Sequence, residues 1–292
     1  MDGFTVLDKA AGVTSFKAAA SLRRVCGEKK IGHTGTLDPM ATGVLPVALG
    51  KATRFIDYLP SGEKAYTARL RFGMTTDTLD ITGRVLTETP CRVTAAALCA
   101  VLPDFTGTVT QVPPMYSALK VEGQRLYDLA RQGKEVARQA REVEIKTLTL
   151  TGEPVPGEFE LRVVCSKGTY IRTLIDDIGR KLGPGAVMTA LRRTAANGFT
   201  LAQAKTLAEI EENPASALLP VDAPFGCFGA VTVSEKQAKR FLNGGELSLD
   251  RLPGFSGAGL TRVYDPAGAF LGLGDAARDA GLLLVKRVYH KD

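Results

Sequence analysis

The segment from Ile31 to Phe55 concentrates residues that could carry chemistry, with a histidine, an aspartate and several glycines in a short reach. Asp38 stands before Pro39, which biases the aspartate toward an extended conformation. It is flanked by Gly32, Gly35 and Gly43. Glycines take backbone angles closed to other residues and let a ligand approach the main chain closely. Such a loop would present the Asp38 carboxylate to a ligand rather than bury it.

Two other interpretations of this segment do not involve a catalytic carboxylate. Aspartate and glycine are ordinary turn residues, and Asp-Pro commonly starts a turn, so spacing alone favours a plain turn. A phosphate-binding loop needs four residues between its glycines and a Ser or Thr after its lysine. Here six residues separate Gly43 from Gly50, and Ala52 follows Lys51. The sequence therefore does not favour a P-loop nucleotide site.

Two helices are predicted from their capping residues. Thr14 or Ser15 can cap a helix that runs toward Cys26 and ends at Gly27, and Thr94 can cap a second helix through Val101. We expect both helices to bury alanine and leucine faces.

Two strands are predicted from alternation with a period of two, which is typical of strands with one wet face. The inward positions of the first strand are Tyr66, Ala68, Leu70 and Phe72, and those of the second are Phe159, Leu161, Val163 and Cys165. The second strand leads into Tyr170 and a helix that ends near Gly183.

Composition narrows the class of protein. At 292 residues, 45% of them hydrophobic, the chain exceeds the usual single-domain size, so we expect one large domain and a small appendage. A formal charge of +6 and a pI near 9.1 suggest a polyanionic partner, although many proteins are mildly basic. The five cysteines form no Cys-x-x-Cys pair and the two histidines are not clustered, so we expect no disulfide framework and no metal.

The chain shows no targeting or membrane segment. No signal-peptide core follows the N-terminus, and no apolar run approaches the roughly twenty residues that cross a bilayer. We expect a cytoplasmic protein with no membrane partner.

A boundary is predicted in the Pro- and Gly-containing stretch from Pro220 to Gly229. Beyond it we expect a short helix from Lys236 to Leu242, a hairpin that turns at residues 265–268, and a closing strand from Leu282 to Tyr289. This pattern indicates a compact β appendage.

The stretch Gly-His-Thr-Gly-Thr-Leu-Asp-Pro at 32–39 resembles, almost residue for residue, the signature of the TruB family of tRNA pseudouridine synthases. Other family-like blocks follow in the expected order, at Lys64 to Tyr66, Thr76 to Asp80, Gln111 to Lys120, Cys165 to Leu174 and Leu191 to Arg193. The resemblance therefore covers most of the chain.

The resemblance implies a mixed α/β (α+β) pseudouridine synthase fold with a central, mainly antiparallel sheet over residues 1–225. A small PUA-like β domain, which binds RNA in this family, would cover residues 230–292. The implied reaction converts the T-loop uridine of tRNA, position 55 in tRNA numbering, to pseudouridine by base flipping and without a cofactor. We expect tRNA, bound through its T arm, as the partner of a monomer that needs no guide RNA and no other protein.

The resemblance also assigns catalytic roles. Moving a uracil from its N1 bond to a C5 bond on the same sugar carbon needs a carboxylate beside the sugar or base, and a closed pocket. Asp38 is the implied nucleophile. A carboxylate in a poorly hydrated pocket stays ionised when a cation stands nearby, and the motif Tyr170-Ile171-Arg172 implies Arg172, whose planar fork can hold both oxygens. Read alone, Arg172 would be a surface arginine on a helix.

Four further residues are implied in substrate binding, and the resemblance counts Tyr66 and Tyr170 among the catalytic residues as well. Tyr66 would stack on the uracil, Tyr170 would line the pocket and exchange a proton with the ribose, and Leu191 would form an apolar wall. His33 would insert its ring where the flipped uridine leaves its stack. Without the resemblance, Tyr66 and Leu191 would be core residues and His33 a loop histidine that satisfies local polar groups.

Basic residues around the pocket are candidates for phosphate contacts that weaken as salt rises, although each alone is more often a solvated charge. They are Lys9, Lys17, Arg23, Arg24, Lys29, Lys30, Lys64, Lys120, Arg192 and Arg193. Asp77 and Asp80 would instead orient loops or basic side chains. One departure from the family pattern is Ala10 in Asp8-Lys9-Ala10, where the family has proline. It leaves the placement of Lys9 open.

Other functions remain as alternatives. A non-catalytic RNA-binding or tRNA-folding protein could use the same basic surface. The guide-dependent synthases resemble TruB in their catalytic domain, but this chain has no obvious long basic extension. A hydrolase that uses Asp38 and a second carboxylate would release free uracil.

Overall fold

The computed structural model describes residues 1–60, 62–117, 119–121 and 123–291. The strands are β1 Gly3–Lys9, β2 Ile31–His33, β3 Thr42–Leu49, β4 Lys64–Phe72, β5 Met74–Thr76, β6 Val85–Glu88, β7 Gly107–Gln111, β8 Lys120–Val121, β9 Gln124–Arg125, β10 Arg141–Val155, β11 Glu158–Cys165, β12 Ala186–Ala196, β13 Phe199–Thr200, β14 Gly229–Thr232, β15 Leu247–Ser248, β16 Gly259–Tyr264, β17 Phe270–Ala277 and β18 Leu282–Val288. The α-helices are α1 Ser15–Val25, α2 Ala95–Val101, α3 Leu126–Arg131, α4 Ile171–Leu182, α5 Leu207–Glu212 and α6 Glu235–Leu242. Short 3-10 helices span Gly50–Tyr58, Leu102–Phe105, Leu201–Gln203, Pro214–Ala217, Ala223–Phe225, Leu249–Arg251 and Arg278–Ala280.

Nine strands of the described chain form the main sheet, in the order β1-β3-β12-β4-β11-β10-β7, with β2 added on β3 and β13 on β12. The pairs are antiparallel except for β3 and β12, which run parallel and place Gly43 opposite Arg193. The predicted α+β class and mainly antiparallel sheet are confirmed. The parallel pair brings the strand that follows Asp38 beside residues 192–193.

The two strands predicted from alternation are confirmed at the centre of this sheet. In β4 and β11 every second side chain is buried, and the strands pair with Leu161 opposite Ala68. Their apolar faces join one core that also includes residues from α1 and α4. Since one face is buried and the other is polar, a shift of one residue in register would expose the core face.

The predicted helix caps are confirmed at three positions. Thr14 caps α1 by accepting a hydrogen bond from the Lys17 backbone N–H at 3.2 Å, and Thr94 caps α2. Helix α4 ends at Gly183, whose φ of +104° suits glycine. The expected alanine face is wrong for α2, in which Leu98 is the buried residue and the alanines are exposed.

The C-terminal sheet has the order β14-β16-β17-β18-β15 and curls into a half-barrel with α6. It has a core of its own, centred on Phe241, Val263 and Leu283. The predicted helix, hairpin and closing strand are confirmed, whereas β14 and β15 were not predicted. Strand β14 pairs in parallel with β16, which no local pattern indicates.

The C-terminal sheet packs on the 3-10 helix that follows β3. The ring centroid of Phe55 lies 5.8 Å from that of Phe270 and 6.4 Å from that of Tyr289. Lys51 Nζ donates to the carbonyl oxygen of His290 at 2.8 Å. This half-barrel is therefore tied to the segment that continues from the Asp38 loop. In the described part of the chain, no helix is both long and apolar enough to span a bilayer.

Candidate active site

Asp38 lies in the loop between β2 and β3, and its side chain is 32% exposed. The loop is anchored on α1, because the Leu37 backbone N–H donates to Ser15 Oγ at 2.8 Å and Ser15 Oγ donates back to the Leu37 carbonyl at 3.0 Å. A turn follows in which the Ala41 N–H donates to the Asp38 carbonyl at 3.0 Å. The carboxylate is thus held on a fixed main chain with part of its surface open.

Arg172, on the first turn of α4, faces the Asp38 carboxylate and is itself 4% exposed. Its Nη2 donates to Asp38 Oδ1 at 3.0 Å, and its Nε lies 2.8 Å from Asp38 Oδ2. The rest of the guanidinium donates to main-chain carbonyls, Nη1 to Thr78 and Nη2 to Tyr116, both at 2.8 Å. The guanidinium therefore joins three separate loops at the carboxylate.

Burial makes the largest contribution to the pKa of Asp38. Desolvation raises the pKa of Asp38, the Arg172 guanidinium opposes the rise, and the neighbouring Asp80 carboxylate adds to it. The net pKa is raised above the ordinary value for an aspartate. Arg172 therefore limits the cost of ionising Asp38 without cancelling it.

Asp80 is a second carboxylate beside Arg172, with its Oδ2 3.8 Å from Nη1. Its Oδ1 accepts from Thr78 Oγ1 at 2.9 Å and from the Thr82 backbone N–H at 3.0 Å. Leu79, between them, has a φ of +64°, which is uncommon for a residue with a side chain. This tight turn presents the Thr78 carbonyl and the Asp80 carboxylate to the same guanidinium, in agreement with the orienting role predicted for Asp80.

Two buried cations hold the Asp38 loop through its carbonyls. Lys9 is 1% exposed, and its Nζ donates to Val13 O at 2.7 Å, Ala10 O at 2.8 Å and Pro39 O at 3.1 Å. Burial lowers the pKa of Lys9 to about 8, although the Asp38 charge opposes this shift. The structure does not support the predicted phosphate contact by Lys9, because its three donors already bond carbonyls. Ala10 leaves this arrangement intact.

Arg193 is the second of these cations and is fully buried. It donates to Val44 O at 2.8 Å from Nε, to Gly35 O at 3.0 Å from Nη2 and to Thr36 O at 3.4 Å from Nη1. A phosphate contact is not supported for Arg193 either, since no face of its guanidinium reaches solvent.

Tyr66, on β4, is 6% exposed and packs in the main core. Burial raises the pKa of Tyr66 to about 12, and the Arg193 charge opposes that shift. The phenol therefore remains protonated at neutral pH. The Asp38 charge adds a small contribution to the rise in the pKa of Tyr66.

Tyr170 immediately precedes α4 and is fixed by Gln111 and Arg141, neither of which was predicted as a site residue. The Gln111 side chain, 2% exposed, accepts from the Tyr170 N–H at 3.0 Å and donates to its carbonyl at 3.2 Å. The Arg141 guanidinium lies over the Tyr170 ring, 4.8 Å from its centroid, and bonds the Gly168 carbonyl. Gln111 was part of a family-like block, whereas nothing in the sequence indicated Arg141.

The remaining predicted substrate residues lie on β12, β4 and β2. Leu191 is 7% exposed on β12, opposite Ala68. Lys64 Nζ lies near Gly35, where an added Cβ would be 3.5 Å away, and desolvation lowers its pKa. His33 is half-buried at the end of β2, and desolvation and the Arg193 charge lower its pKa, so the imidazole is neutral at pH 7.

The other candidate phosphate contacts fall into two groups. Arg192 is engaged by Asp8, with Nη2 to Oδ2 at 2.7 Å and Nη1 to Oδ1 at 3.0 Å. Five candidates on α1 and the turn after it are exposed: Lys17, Arg23, Arg24, Lys29 and Lys30. The Lys120 side chain lies outside the described part of the structure. Among the described residues, no group of three His, Cys, Asp or Glu side chains could hold a metal.

Comparisons with known proteins agree with this geometry. A model of the TruB family pseudouridylate synthase N-terminal domain matches residues 23–171. Models of the tRNA pseudouridylate synthase B C-terminal domain and of the pseudouridine synthase II TruB C-terminal region match residues 172–224 and 229–289. Among solved structures, the chain is similar to one from a Cbf5-Nop10-Gar1 complex, with a TM-score of 0.76 and 24% identity over 99% of this chain and 85% of that one. That similarity shows a shared fold.

Sequence relatives extend the match to almost the whole chain. The tRNA pseudouridine synthase B of Azoarcus sp. is 47% identical over 94% of this chain and 91% of its own. That of Thiobacillus denitrificans is 44% identical over 99% of this chain and 96% of its own. Because these matches and the family models run through both sheets, the chain belongs to the TruB family of pseudouridine synthases, which are isomerases.

Proposed function

We propose that this protein converts the T-loop uridine of tRNA, position 55, to pseudouridine, with Asp38 as the catalytic carboxylate. The observation that carries the proposal is the Asp38–Arg172 pair, in which two guanidinium nitrogens lie 3.0 and 2.8 Å from the two carboxylate oxygens at a partly open loop. The relatives named tRNA pseudouridine synthase B support tRNA as the substrate.

The reaction breaks the N1–C1′ bond, turns the uracil and forms a C5–C1′ bond, after which C5 gives up its proton and N1 gains one. Asp38 assists either as a nucleophile or by stabilising positive charge on the sugar carbon. Arg172 supports the ionised carboxylate, because burial alone favours the protonated form. The scheme needs no cofactor, since it involves no net redox change and no external energy input.

The surrounding residues suit the handling of a detached base. The uridine leaves its stack at a cost of a few kcal/mol, and His33, as a neutral imidazole, fills the vacated space. Tyr66 supplies an aromatic face and a protonated phenol, and Leu191 an apolar wall. Tyr170 lines the pocket with its ring backed by Arg141.

The tRNA T arm binds across the exposed basic residues of α1 and the following turn, together with Lys64. Neutralised phosphates release counterions, so binding weakens steeply as salt rises. We propose that residues 1–225 form the catalytic domain and 230–292 a PUA-like RNA-binding domain, which its separate core supports. The protein acts as a cytoplasmic monomer without guide RNA or protein partner.

The test is Asp38→Asn with Asp104→Asn as its control, since Asp104 is an exposed aspartate that pairs with Lys181. Purified variants are incubated with transcribed tRNA, and modified sites are mapped at nucleotide resolution. We expect Asp38→Asn to bind tRNA and form no pseudouridine, and Asp104→Asn to retain the reaction. Turnover by Asp38→Asn would refute the assigned carboxylate, and absence of product with the wild-type chain alone would favour a guide-dependent or non-catalytic protein.

A further inference from the structure

A second cleft opens beside the Asp38 loop, between α1 and β2, with a volume of about 280 Å³. Its lining residues are Phe16, Ala19, Ala20, Arg23, Ile31, Gly32 and His33. None of them carries a carboxylate. The cleft shares His33 with the candidate active site but does not include Asp38, Arg172 or Tyr66, so it extends beyond that site.

The helical wall has the form of a shallow trough. Positions 16, 19, 20 and 23 lie on one face of α1, because residues three and four apart are neighbours on a helix. Phe16 at one end is 68% exposed, the two alanines make a low floor, and Arg23 at the other end is exposed. A flat aromatic face and a cation thus stand at opposite ends of an apolar floor.

The opposite wall connects the cleft to the Asp38 loop. Ile31 and His33 point to the same side of β2, since side chains alternate along a strand. His33 Nδ1 is buried and has no hydrogen-bond partner in the described structure. His33 precedes Asp38 by five residues, so their Cα atoms lie within about 18 Å of each other.

We infer that this cleft binds the base of a nucleotide next to the uridine that is isomerised, with the base stacked on Phe16 and a phosphate near Arg23. The inference rests on the proposed function for the identity of the RNA. A polyanion is favoured because Lys17, Arg24, Lys29 and Lys30 are exposed around the same helix and turn. Base stacking on an aromatic ring tolerates any base, so the site fixes position rather than sequence.

The test uses a fluorescein-labelled T-arm hairpin RNA and a set of the same hairpin in which one nucleotide flanking the uridine is replaced by an abasic ribose. Affinity is measured by fluorescence anisotropy with wild type, Phe16→Ala and Leu86→Ala. Leu86 is 55% exposed on β6 and serves as a matched control for loss of an exposed apolar side chain. Phe16 is exposed, so its replacement does not disturb the core.

We expect Phe16→Ala to weaken binding of the complete hairpin about 5- to 150-fold, and Leu86→Ala to leave it unchanged. For one of the abasic hairpins, the affinity of the wild type should fall by a similar factor. The affinity of Phe16→Ala for that hairpin should equal its affinity for the complete hairpin. Phe16→Trp should restore binding, and Ala20→Met, which fills the trough, should weaken it.

Equal affinities of wild type and Phe16→Ala, or additive losses at every abasic position, would overturn the cleft assignment. The proposed function is tested separately, by measuring whether the wild-type protein forms pseudouridine. If pseudouridine forms but Phe16→Ala and every abasic position weaken binding independently, only the cleft assignment is wrong. If one abasic position and Phe16→Ala have non-additive effects on affinity but no pseudouridine forms, the cleft binds RNA and the proposed reaction is wrong.

Discussion

Replacing Arg172 by lysine keeps the charge but removes the geometry that the site uses. The guanidinium bonds Asp38, Thr78 O and Tyr116 O from two different nitrogens. A lysine ammonium has one nitrogen and cannot reach all three acceptors from the same backbone position. Each lost hydrogen bond to a charged group is worth about 1.5–3 kcal/mol.

Part of this loss is made good by water, because the Asp38 side chain is 32% exposed. We therefore take the lower value, about 1.5 kcal/mol, for each of about two lost hydrogen bonds. The total of about 3 kcal/mol, as a rise in the activation free energy, lowers kcat about a hundredfold. Affinity for tRNA should change little, because Arg172 is 4% exposed and lies behind Asp38. Since the Arg172 charge opposes the rise in the pKa of Asp38, its displacement should also move the acid limb of the kcat profile to higher pH.

The assay is release of tritium from C5-labelled uridine in tRNA under single-turnover conditions, because C5 loses its hydrogen when it joins the sugar carbon. Arg180→Lys is the control, since Arg180 lies on the same helix, is 66% exposed and pairs with Asp176 and Asp177. The reasoning fails if Arg172→Lys keeps the wild-type kcat, or if its acid limb stays in place.

Three further predictions concern residues that surround the Asp38–Arg172 pair. Asp80→Asn removes a negative charge that raises the pKa of Asp38, so the acid limb of the kcat profile should move to lower pH; movement to higher pH would contradict this. The pKa of Lys9 falls from 10.5 to about 8 on folding, so the unfolding free energy of wild type minus that of Lys9→Met should rise by about 3 kcal/mol between pH 8 and 10.5, in urea titrations. A flat difference would argue against a lowered pKa for Lys9 in the folded protein. Gly43→Ala should destabilise the protein by more than about 2 kcal/mol, because its Cβ would lie 2.2 Å from Arg193 O; Gly268→Ala, also at positive φ but in open space, separates steric clash from backbone strain in the same titrations.

Local patterns predicted the elements that have one wet face or a clear cap. The alternation in β4 and the capping threonine of α1 are examples, because burial and capping leave a mark within a few residues. The partner of a strand leaves no such mark. Strands β3 and β12 pair in parallel although Gly43 and Arg193 are 150 residues apart, so their contact could not be read from periodicity.

The site shows the same division between what a pattern indicates and what packing decides. Asp38 and Arg172, 134 residues apart, were joined only through a family resemblance, and their geometry is consistent with it. Charge patterns misjudged Lys9 and Arg193, because a cation at the surface and one that satisfies buried carbonyls look alike in sequence. Lys9 ends a strand that is otherwise almost wholly buried, which is the signal that could have identified it.

The buried side chains of Lys9 and Arg193 have a consequence for how catalysis depends on the substrate RNA. Lys9 donates to Pro39 O of the Asp38 loop and to Val13 O outside it, and Arg193 donates to Gly35 O of the loop and to Val44 O of β3. The loop is therefore a template that these bonds hold in place before any nucleic acid arrives. If the proposed function is right, it is the RNA, and not the Asp38 loop, that changes conformation when a uridine reaches Asp38 on this template. Turnover among different transcripts would then follow how easily each hairpin loop opens, rather than any adaptation by the enzyme.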